Sequence, residues 1–210
     1  MPENTANLDK KPHCNVTWQR SLVSPAERTR LLRQEPATIW LTGLSGAGKS
    51  TIAFQLEKQL VAAGHPAFVL DGDNIRHGLC RDLGFSPDYR HENIRRIAEV
   101  AKLLNDAGLL VIVAFISPFL RDRAMAQEIV GPERFVEAHL SADIGVCEAR
   151  DPKGLYRKAR AGEIPEFTGV TSPYEAPERP AVVVDTGRMT VEASVNAIMD
   201  KLAPRLRRSL

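Results

Sequence analysis

The sequence of 210 residues has few cysteines, little net charge and no long apolar run. Its three cysteines, Cys14, Cys80 and Cys147, lie far apart without C-x-x-C spacing. That pattern argues against a disulfide scaffold or a zinc site and favours a reducing compartment. Lys and Arg total 28 against 26 Asp and Glu, which leaves a formal charge of +2. The strong basic stripe of a general nucleic-acid-binding protein is therefore not expected.

Membrane and secretory segments are also missing from the pattern. The longest apolar run, residues 109–116, has eight residues, whereas a membrane-spanning helix needs about 20. The first 18 residues are polar and lack the apolar core of a secretory signal. We therefore expect a cytoplasmic protein that binds neither membranes nor nucleic acid.

What is present is an ordinary globular composition, with 43% hydrophobic and 26% charged residues. Apolar segments alternate with amphipathic helical patterns, and this alternation predicts an α/β fold with a central parallel sheet of about five strands flanked by helices. Residues 1–35 are expected to form an N-terminal arm with a short helix, and 36–210 one domain. The long irregular connection at about 151–178 is expected to be a lid. The predicted strands are 38–41, 67–70, 109–116, 135–140 and 181–184, and the predicted helices are 24–34, 51–63, 86–107 and 190–202.

One motif is strong, because residues 43–50 match the phosphate-loop pattern G-x-x-x-x-G-K-[ST] between a predicted strand and a predicted helix. The glycines allow successive N–H groups to point at phosphate oxygens, and the helix N-terminus adds positive potential. Lys49 is expected to reach the β- and γ-phosphates and Ser50 to bind Mg²⁺. The predicted nucleoside triphosphate site is formed by Gly43, Leu44, Ser45, Gly46, Ala47, Gly48, Lys49, Ser50 and Thr51.

The positions of the acidic residues favour a small-molecule kinase. A GTPase should carry N-K-x-D, which is absent, and the strand at 109–116 ends in Ser117 rather than in the carboxylate typical of motor or transporter ATPases. Asp71 and Asp73 instead follow the second predicted strand, where they could hold Mg²⁺ through water and accept a proton from an attacking hydroxyl. The alternative is that one of them only caps a short helix predicted over 74–79.

Other polar and aromatic residues are ambiguous when taken singly. Arg76 lies three residues after Asp73, and Asn93 lies three residues after Arg90, which are helical spacings. Guanidinium groups bind phosphate or sulfate oxygens in forks. More commonly, however, an Arg at such a position lies on a solvent-exposed face of a helix and binds no ligand. Phe85 can be a core residue or can stack on a base.

The ordered series of motifs resembles the adenylylsulfate (APS) kinase family. The likeness extends from about residue 14 to 202, and its later motifs make it far more specific than the phosphate loop alone. The segments that carry it are 15–18, 43–51, 71–79, 82–86, 90–96, 116–118, 147–156, 167–169 and 173–175.

The resemblance implies transfer of the γ-phosphoryl group of ATP to the 3′-hydroxyl of APS, which gives PAPS and ADP. It places Asp73 near that hydroxyl as base or orienting group, and Asp71 at Mg²⁺. It also makes Ser117 the position that the family associates with a phosphoserine intermediate. We favour direct in-line transfer instead, because positioning and Mg²⁺ suffice for phosphoryl transfer.

The family likeness also assigns contacts to both substrates. Arg150 is implied along the ATP adenine, and Lys153 is implied on the ATP phosphates as the lid closes and excludes water. The residues implied to contact APS are Asp73, Arg76, Phe85, Arg90, Asn93, Ile116, Ser117 and Phe167, with the rings of Phe85 and Phe167 sandwiching its adenine.

Partners and alternatives complete the prediction. Because similar enzymes are commonly homodimers, the resemblance implies a homodimer, and it implies a functional link to ATP sulfurylase. One alternative is another small-molecule kinase with the same loop, which would have no reason to carry the Phe85, Arg90, Asn93 and Phe167 set. Another is a non-catalytic nucleotide-binding module, which would be expected to lose Lys49, Asp71 or Asp73.

Overall fold

A computed structural model describes residues 16–206 as a parallel sheet with helices on both faces. The predicted α/β class is confirmed, and all five predicted strands are present. The strands are β1 (Thr38–Thr42), β2 (Ala67–Asp71), β3 (Leu110–Ala114), β4 (Phe135–Leu140) and β5 (Val182–Val184). The helices are α1 (Pro25–Leu32), α2 (Lys49–Ala62), α3 (Gly72–Arg76), α4 (Pro87–Asp106), α5 (Leu120–Val130), α6 (Ile144–Arg150), α7 (Leu155–Arg160) and α8 (Val191–Leu202), followed by a 3-10 turn (Ala203–Arg205).

The strand order β2-β3-β1-β4-β5 brings the functional segments to one edge of the sheet. All four strand pairings are parallel, so the carboxyl ends of the strands meet there. β1 lies at the centre, and the phosphate loop leaves from its end. Asp71 is the last residue of β2 and Asp73 lies in the first turn of α3, and the chain after β3 supplies Ser117. Open parallel sheets bind ligands at this edge.

Two apolar clusters hold the sheet between its helices. Along β1, Ile39 and Leu41 face the cluster covered by α2 and α8, whereas Trp40 faces the cluster covered by α4 and α5. All three side chains are fully buried. This alternation follows from the two-residue period of a strand, and burial on both faces explains why β3 and the middle of β1, residues 39–41, are apolar throughout.

The residues predicted to cap helices form the expected hydrogen bonds. Ser24 and Glu27 form a reciprocal capping box on α1, and Ser86 and Thr190 cap α4 and α8 with their side chains. Three further helices, α5, α6 and α7, were not predicted. The part of the arm before residue 16 lies outside the described residues, and so does Cys14.

Within residues 16–206, none of the helices is both long enough and apolar enough to cross a membrane. The two described cysteines, Cys80 and Cys147, are free thiols buried in the two clusters, as expected of small apolar residues.

Candidate active site

A cavity of about 1390 Å³ lies at the carboxyl edge of the sheet. Its walls come from the phosphate loop, the chain after β2 and β3, the start of α4 and the lid. It brings together every predicted site residue except Gly43, Leu44 and Ala47, which lie in the loop but do not line the cavity. The sequence-based grouping of distant residues into one site is thus reproduced in space.

The loop backbone at Gly43 and Gly46 leaves no room for a side chain. Both have positive φ, and a Cβ would lie 2.6 Å from the Leu140 carbonyl oxygen at Gly43 and 2.9 Å from the Cys147 carbonyl oxygen at Gly46. Glycine is therefore required at these two positions by conformation and by close packing.

The carbonyl groups of the loop accept hydrogen bonds from the loop's own Lys49 and from two side chains of distant segments. Lys49 Nζ donates to the carbonyls of Gly43 (2.9 Å) and Leu44 (2.8 Å). The hydroxyl of Tyr156 in α7 donates to the Ser45 carbonyl (3.0 Å), and that of Thr186 after β5 donates to the Ala47 carbonyl (2.9 Å). Occupied carbonyls favour presentation of the loop N–H groups to an anion, the arrangement that binds phosphate.

Burial of its ammonium group lowers the pKa of Lys49 to about 8, although the nearby carboxylates of Asp71 and Asp73 oppose the shift. Desolvation disfavours the charged form. A phosphate group bound at the loop would restore the charge of Lys49 by the same physics, because an adjacent negative charge raises a lysine pKa.

Asp71 performs two tasks. One carboxylate oxygen accepts from the N–H groups of Asp73 (3.1 Å) and Asn74 (3.3 Å) and so caps α3, which is the alternative that the sequence left open. The other oxygen accepts from the Ser50 hydroxyl at 2.6 Å. Two adjoining oxygen donors suit Mg²⁺, a hard cation that prefers oxygen ligands.

Asp73 differs from Asp71 in exposure. Its side chain is 64% exposed in the cavity and forms an ion pair with Lys153 of the lid. The lid lysine and the predicted base are therefore neighbours in the cavity.

Arg90 joins α4 to the lid. Its Nε donates to the Phe85 carbonyl (2.7 Å), Nη1 to the Thr168 hydroxyl (2.8 Å) and Nη2 to the Glu166 carbonyl (2.6 Å). Burial lowers the pKa of the guanidinium. Arg90 therefore lines the predicted APS region but uses its donors on protein groups in this structure.

Arg76 and the two aromatic residues line the same region. Arg76 Nη1 donates to the Leu83 carbonyl (3.0 Å), and its guanidinium lies 4.3 Å from the ring centre of Phe85. Phe85 is 63% exposed, whereas Phe167 is buried and meets Tyr156 edge to face at 5.0 Å. A stacked or cation–π platform of this kind suits a planar base.

Asn93 and Ser117 are buried polar residues that line the cavity. Asn93 is 4% exposed, and its Oδ1 has no hydrogen-bond partner. Buried polar atoms are normally bonded, so an orphan at a cavity wall indicates a ligand contact. Ser117 is 3% exposed, and its Oγ accepts a bond from Trp40 Nε1 at 3.1 Å. Its hydroxyl is therefore already engaged with the core.

A family model described as adenylylsulphate kinase matches residues 35–185. The chain belongs to the adenylylsulfate kinase family. Among its relatives, the adenylyl-sulfate kinase of Vibrio cholerae is 53% identical over 197 residues, which cover 94% of this chain and 91% of that protein. That of Clostridium acetobutylicum is 50% identical over 195 residues, which cover 93% and 97%.

A solved structure of an APS kinase supports the same assignment. The enzyme from Mycobacterium tuberculosis, in complex with AMPPNP and APS, is 45% identical and superposes with a TM-score of 0.78. The match covers 81% of this chain and 99% of that one. The family resemblance inferred from the motifs is confirmed.

Several supporting residues of the adenylylsulfate kinase site were missed from the sequence. Tyr156 and Thr186 brace the phosphate loop, and Trp40 bonds Ser117, yet their partners lie 111, 139 and 77 residues away along the chain. No spacing or periodicity signals such contacts. Tyr156 lies within a motif that was noted for the family likeness but was given no role.

Proposed function

We propose that this chain transfers the γ-phosphoryl group of ATP to the 3′-hydroxyl of APS. The observation that carries the proposal is that one cavity contains both a phosphate loop and a second wall rich in Arg, Asn and aromatic groups. The donor half of the cavity, for ATP, comprises Ser45, Gly46, Gly48, Lys49, Ser50, Thr51, Arg150 and Thr186. The acceptor half, for APS, comprises Arg76, Phe85, Arg90, Asn93, the turn 116–118 and Phe167. Asp71, Asp73 and Lys153 lie between the halves.

The proposed chemistry is a direct in-line displacement. The 3′-oxygen of APS forms a bond to the γ-phosphorus while the bond from that phosphorus to the β,γ-bridging oxygen of ATP breaks. Asp73 orients the attacking hydroxyl and accepts its proton, and Lys49 stabilises the charge on the transferring group. Mg²⁺, held by Ser50 and Asp71, neutralises phosphate charge when bound.

The Lys153–Asp73 ion pair suggests how the lid takes part. ATP phosphates compete for the Lys153 ammonium, so nucleotide binding would draw it away from Asp73 and leave that carboxylate free for the hydroxyl. Lys153 would then hold the lid over the phosphates and exclude water, which would otherwise accept the phosphoryl group.

The acceptor half supplies complementary groups for a sulfated nucleotide. Arg76 has donors beyond those given to the loop at Leu83, and a fork of N–H groups suits phosphate or sulfate oxygens. Asn93 brings its unpartnered amide oxygen. Phe85 offers an exposed ring to the adenine.

Two partner assignments are further proposals. A homodimer could bury large apolar side chains that are exposed on the arm and on α1, and burial of apolar surface favours association. Light scattering on the purified chain would test it. The second proposed partner is a functional one, a sulfurylase that forms the APS used by this chain. The exposed apolar residues are Val16, Trp18, Leu22 and Leu31.

The test of the reaction is ADP release from Mg-ATP with and without micromolar APS, with PAPS identified by mass. APS-dependent ADP release with PAPS formed supports the proposal. ADP release with a different hydroxyl compound, from a panel of nucleosides and sugar acids, would make the chain another small-molecule kinase. ATP binding without turnover on any acceptor would make it a nucleotide-binding module.

A further inference from the structure

Arg123 is a charged side chain in the interior, at the first turn of α5. It is 3% exposed, which is rare for Arg unless its charge is paired. Its Nε donates to the carboxylate of Glu137 in β4 at 2.8 Å. Burial raises the pKa of Glu137, and the adjacent Arg123 charge opposes that rise. The ion pair accounts for the tolerated burial of the guanidinium.

The remaining donors of Arg123 bind two separate parts of the backbone. Nη1 donates to the Ser117 carbonyl and Nη2 to the Glu175 carbonyl, both at 2.7 Å. One planar fork thus joins β4, the turn after β3 and the end of the lid. The geometry needs Arg, because a lysine ammonium cannot present donors in this fixed arrangement.

The turn at 116–118 needs such support. Ser117 has φ of 39°, a left-handed conformation that is uncommon for residues other than glycine. Thr42 Oγ1 donates to the Ile116 carbonyl at 2.7 Å, and the Glu175 N–H donates to the Pro118 carbonyl at 2.8 Å. All three carbonyls of the turn are therefore fixed by groups from other segments, while the turn itself lines the cavity.

Glu175 adds a second link, at the start of α5. Its carboxylate accepts from the Leu120 N–H at 2.6 Å. The N-cap residue of α5, Phe119, has no side-chain cap bond, so Glu175 performs the capping task from 55 residues away. The end of the lid is therefore attached both to the turn, at Pro118, and to the start of α5, at Leu120.

We propose that Arg123, fixed by Glu137 and assisted by Glu175, is a positioning residue that sets the acceptor-half turn 116–118 and ties it to the end of the lid. This inference rests on the proposed function, because it takes the turn to be part of the APS wall. Arg123 lines no part of the cavity itself, so its effect is transmitted through the Ser117 carbonyl.

The test compares Arg123→Lys with a matched control, Arg121→Lys. Arg121 lies on the same helix, but its side chain is 65% exposed and its ion-pair contact is with Asp122. KM for APS, KM for ATP, kcat and the thermal midpoint are measured for both variants and the wild type. Arg123→Lys keeps the positive charge beside Glu137 and loses the fork.

We expect Arg123→Lys to raise KM for APS about tenfold or more and to leave KM for ATP within about twofold, since charge-assisted hydrogen bonds to a positioned group are lost. Arg121→Lys should resemble the wild type. An unchanged KM for APS, or equal increases in both KM values, would overturn the inference and leave Arg123 a purely structural residue.

A second variant covers the case in which Arg123→Lys does not fold. Glu175→Ala removes only an exposed carboxylate and its bond to Leu120, and it should raise KM for APS about two- to fivefold with KM for ATP unchanged. No change in KM for APS would count against the inference. The proposed function has a separate test, because it fails only if the wild type forms no PAPS. A wild type that forms PAPS without this KM split in the variants rejects the positioning role alone.

Discussion

The donor and acceptor halves of the cavity are built in different ways. The donor half is centred on one continuous segment whose backbone creates the binding surface, and side chains such as Tyr156 and Thr186 only brace it. The acceptor half is assembled from the chain after β2 and β3, the start of α4 and the lid. Its charged residues bind protein groups as well as facing the cavity, as Arg90 does.

This difference indicates what substitutions should do. A loop made of backbone groups tolerates changes in neighbouring side chains, so its sensitive side chains are those that act on the transferring phosphoryl group. An assembled wall depends on every residue that holds it together. Donor-half substitutions should therefore act mainly on kcat, and acceptor-half substitutions mainly on KM for APS.

Lys49→Ala should have the largest effect and should lower kcat by about 10²- to 10³-fold, since it removes a charge that stabilises the transferring phosphoryl group. Steady-state assays at saturating ATP and APS measure the change. Lys58→Ala is the matched control, because Lys58 lies on the same helix with its side chain exposed. A Lys49→Ala enzyme with kcat near that of the wild type would remove Lys49 from the mechanism.

Asp73→Asn should lower kcat by about 10²-fold, the lower end of the usual contribution of a proton-accepting group, while ATP still binds. The carboxylate is largely exposed and pairs with the lid residue Lys153, so the substitution should leave the stability of the fold unchanged. Calorimetric titration with Mg-ATP provides the second measurement.

Asp71→Asn provides a comparison that separates a loss of Mg-ATP binding from a loss of turnover alone. Asp71 caps α3 and accepts from Ser50, so its substitution should weaken Mg-ATP binding as well as turnover. If Asp73→Asn instead abolished ATP binding, Asp73 would be chiefly a metal-binding or structural residue.

Arg90→Ala should raise KM for APS by about 10- to 100-fold, the range expected for a lost hydrogen bond to a charged group, and should leave KM for ATP nearly unchanged. Arg95→Ala is the control, because Arg95 lies on the same helix and pairs with Glu92 and Glu99. Equal increases in the KM values for both substrates would mean that Arg90 has only a structural role, in linking α4 to the lid.

The donor half could be predicted from the sequence because its information is local. The phosphate loop occupies consecutive residues between a strand and a helix. Because the alternation of strands and helices indicates a parallel sheet, Asp71 at the end of the second strand was expected at the same edge of the sheet as the loop. The short range of these signals explains why the five strands and the capped helices α1, α4 and α8 were also predicted.

The acceptor half was predicted only as a set of residues, through the family likeness. Its internal bonds join positions far apart, such as Arg90 and Thr168, which are 78 residues apart. The burial of Arg123 also could not be foreseen, because Arg is normally exposed and its partner Glu137 lies on a strand rather than at a helical spacing. Helix α5 was missed, and with it the reason for the strained turn at Ser117.

Ser117→Ala should have the smallest effect on turnover and should leave kcat within about threefold of the wild type, because direct transfer needs positioning rather than a nucleophile at this residue.

The Ser117→Ala variant should instead be less stable to unfolding. The Ser117 hydroxyl accepts from the buried Trp40 indole, and an unpaired buried donor costs about 1–3 kcal/mol. A fall in kcat as large as that expected for Lys49→Ala would argue against direct transfer and would support a phosphoserine intermediate at Ser117. Denaturation of the double variant with Trp40→Phe separates the two effects, because a donor and an acceptor that are lost together should destabilise the protein by less than the sum of the single changes.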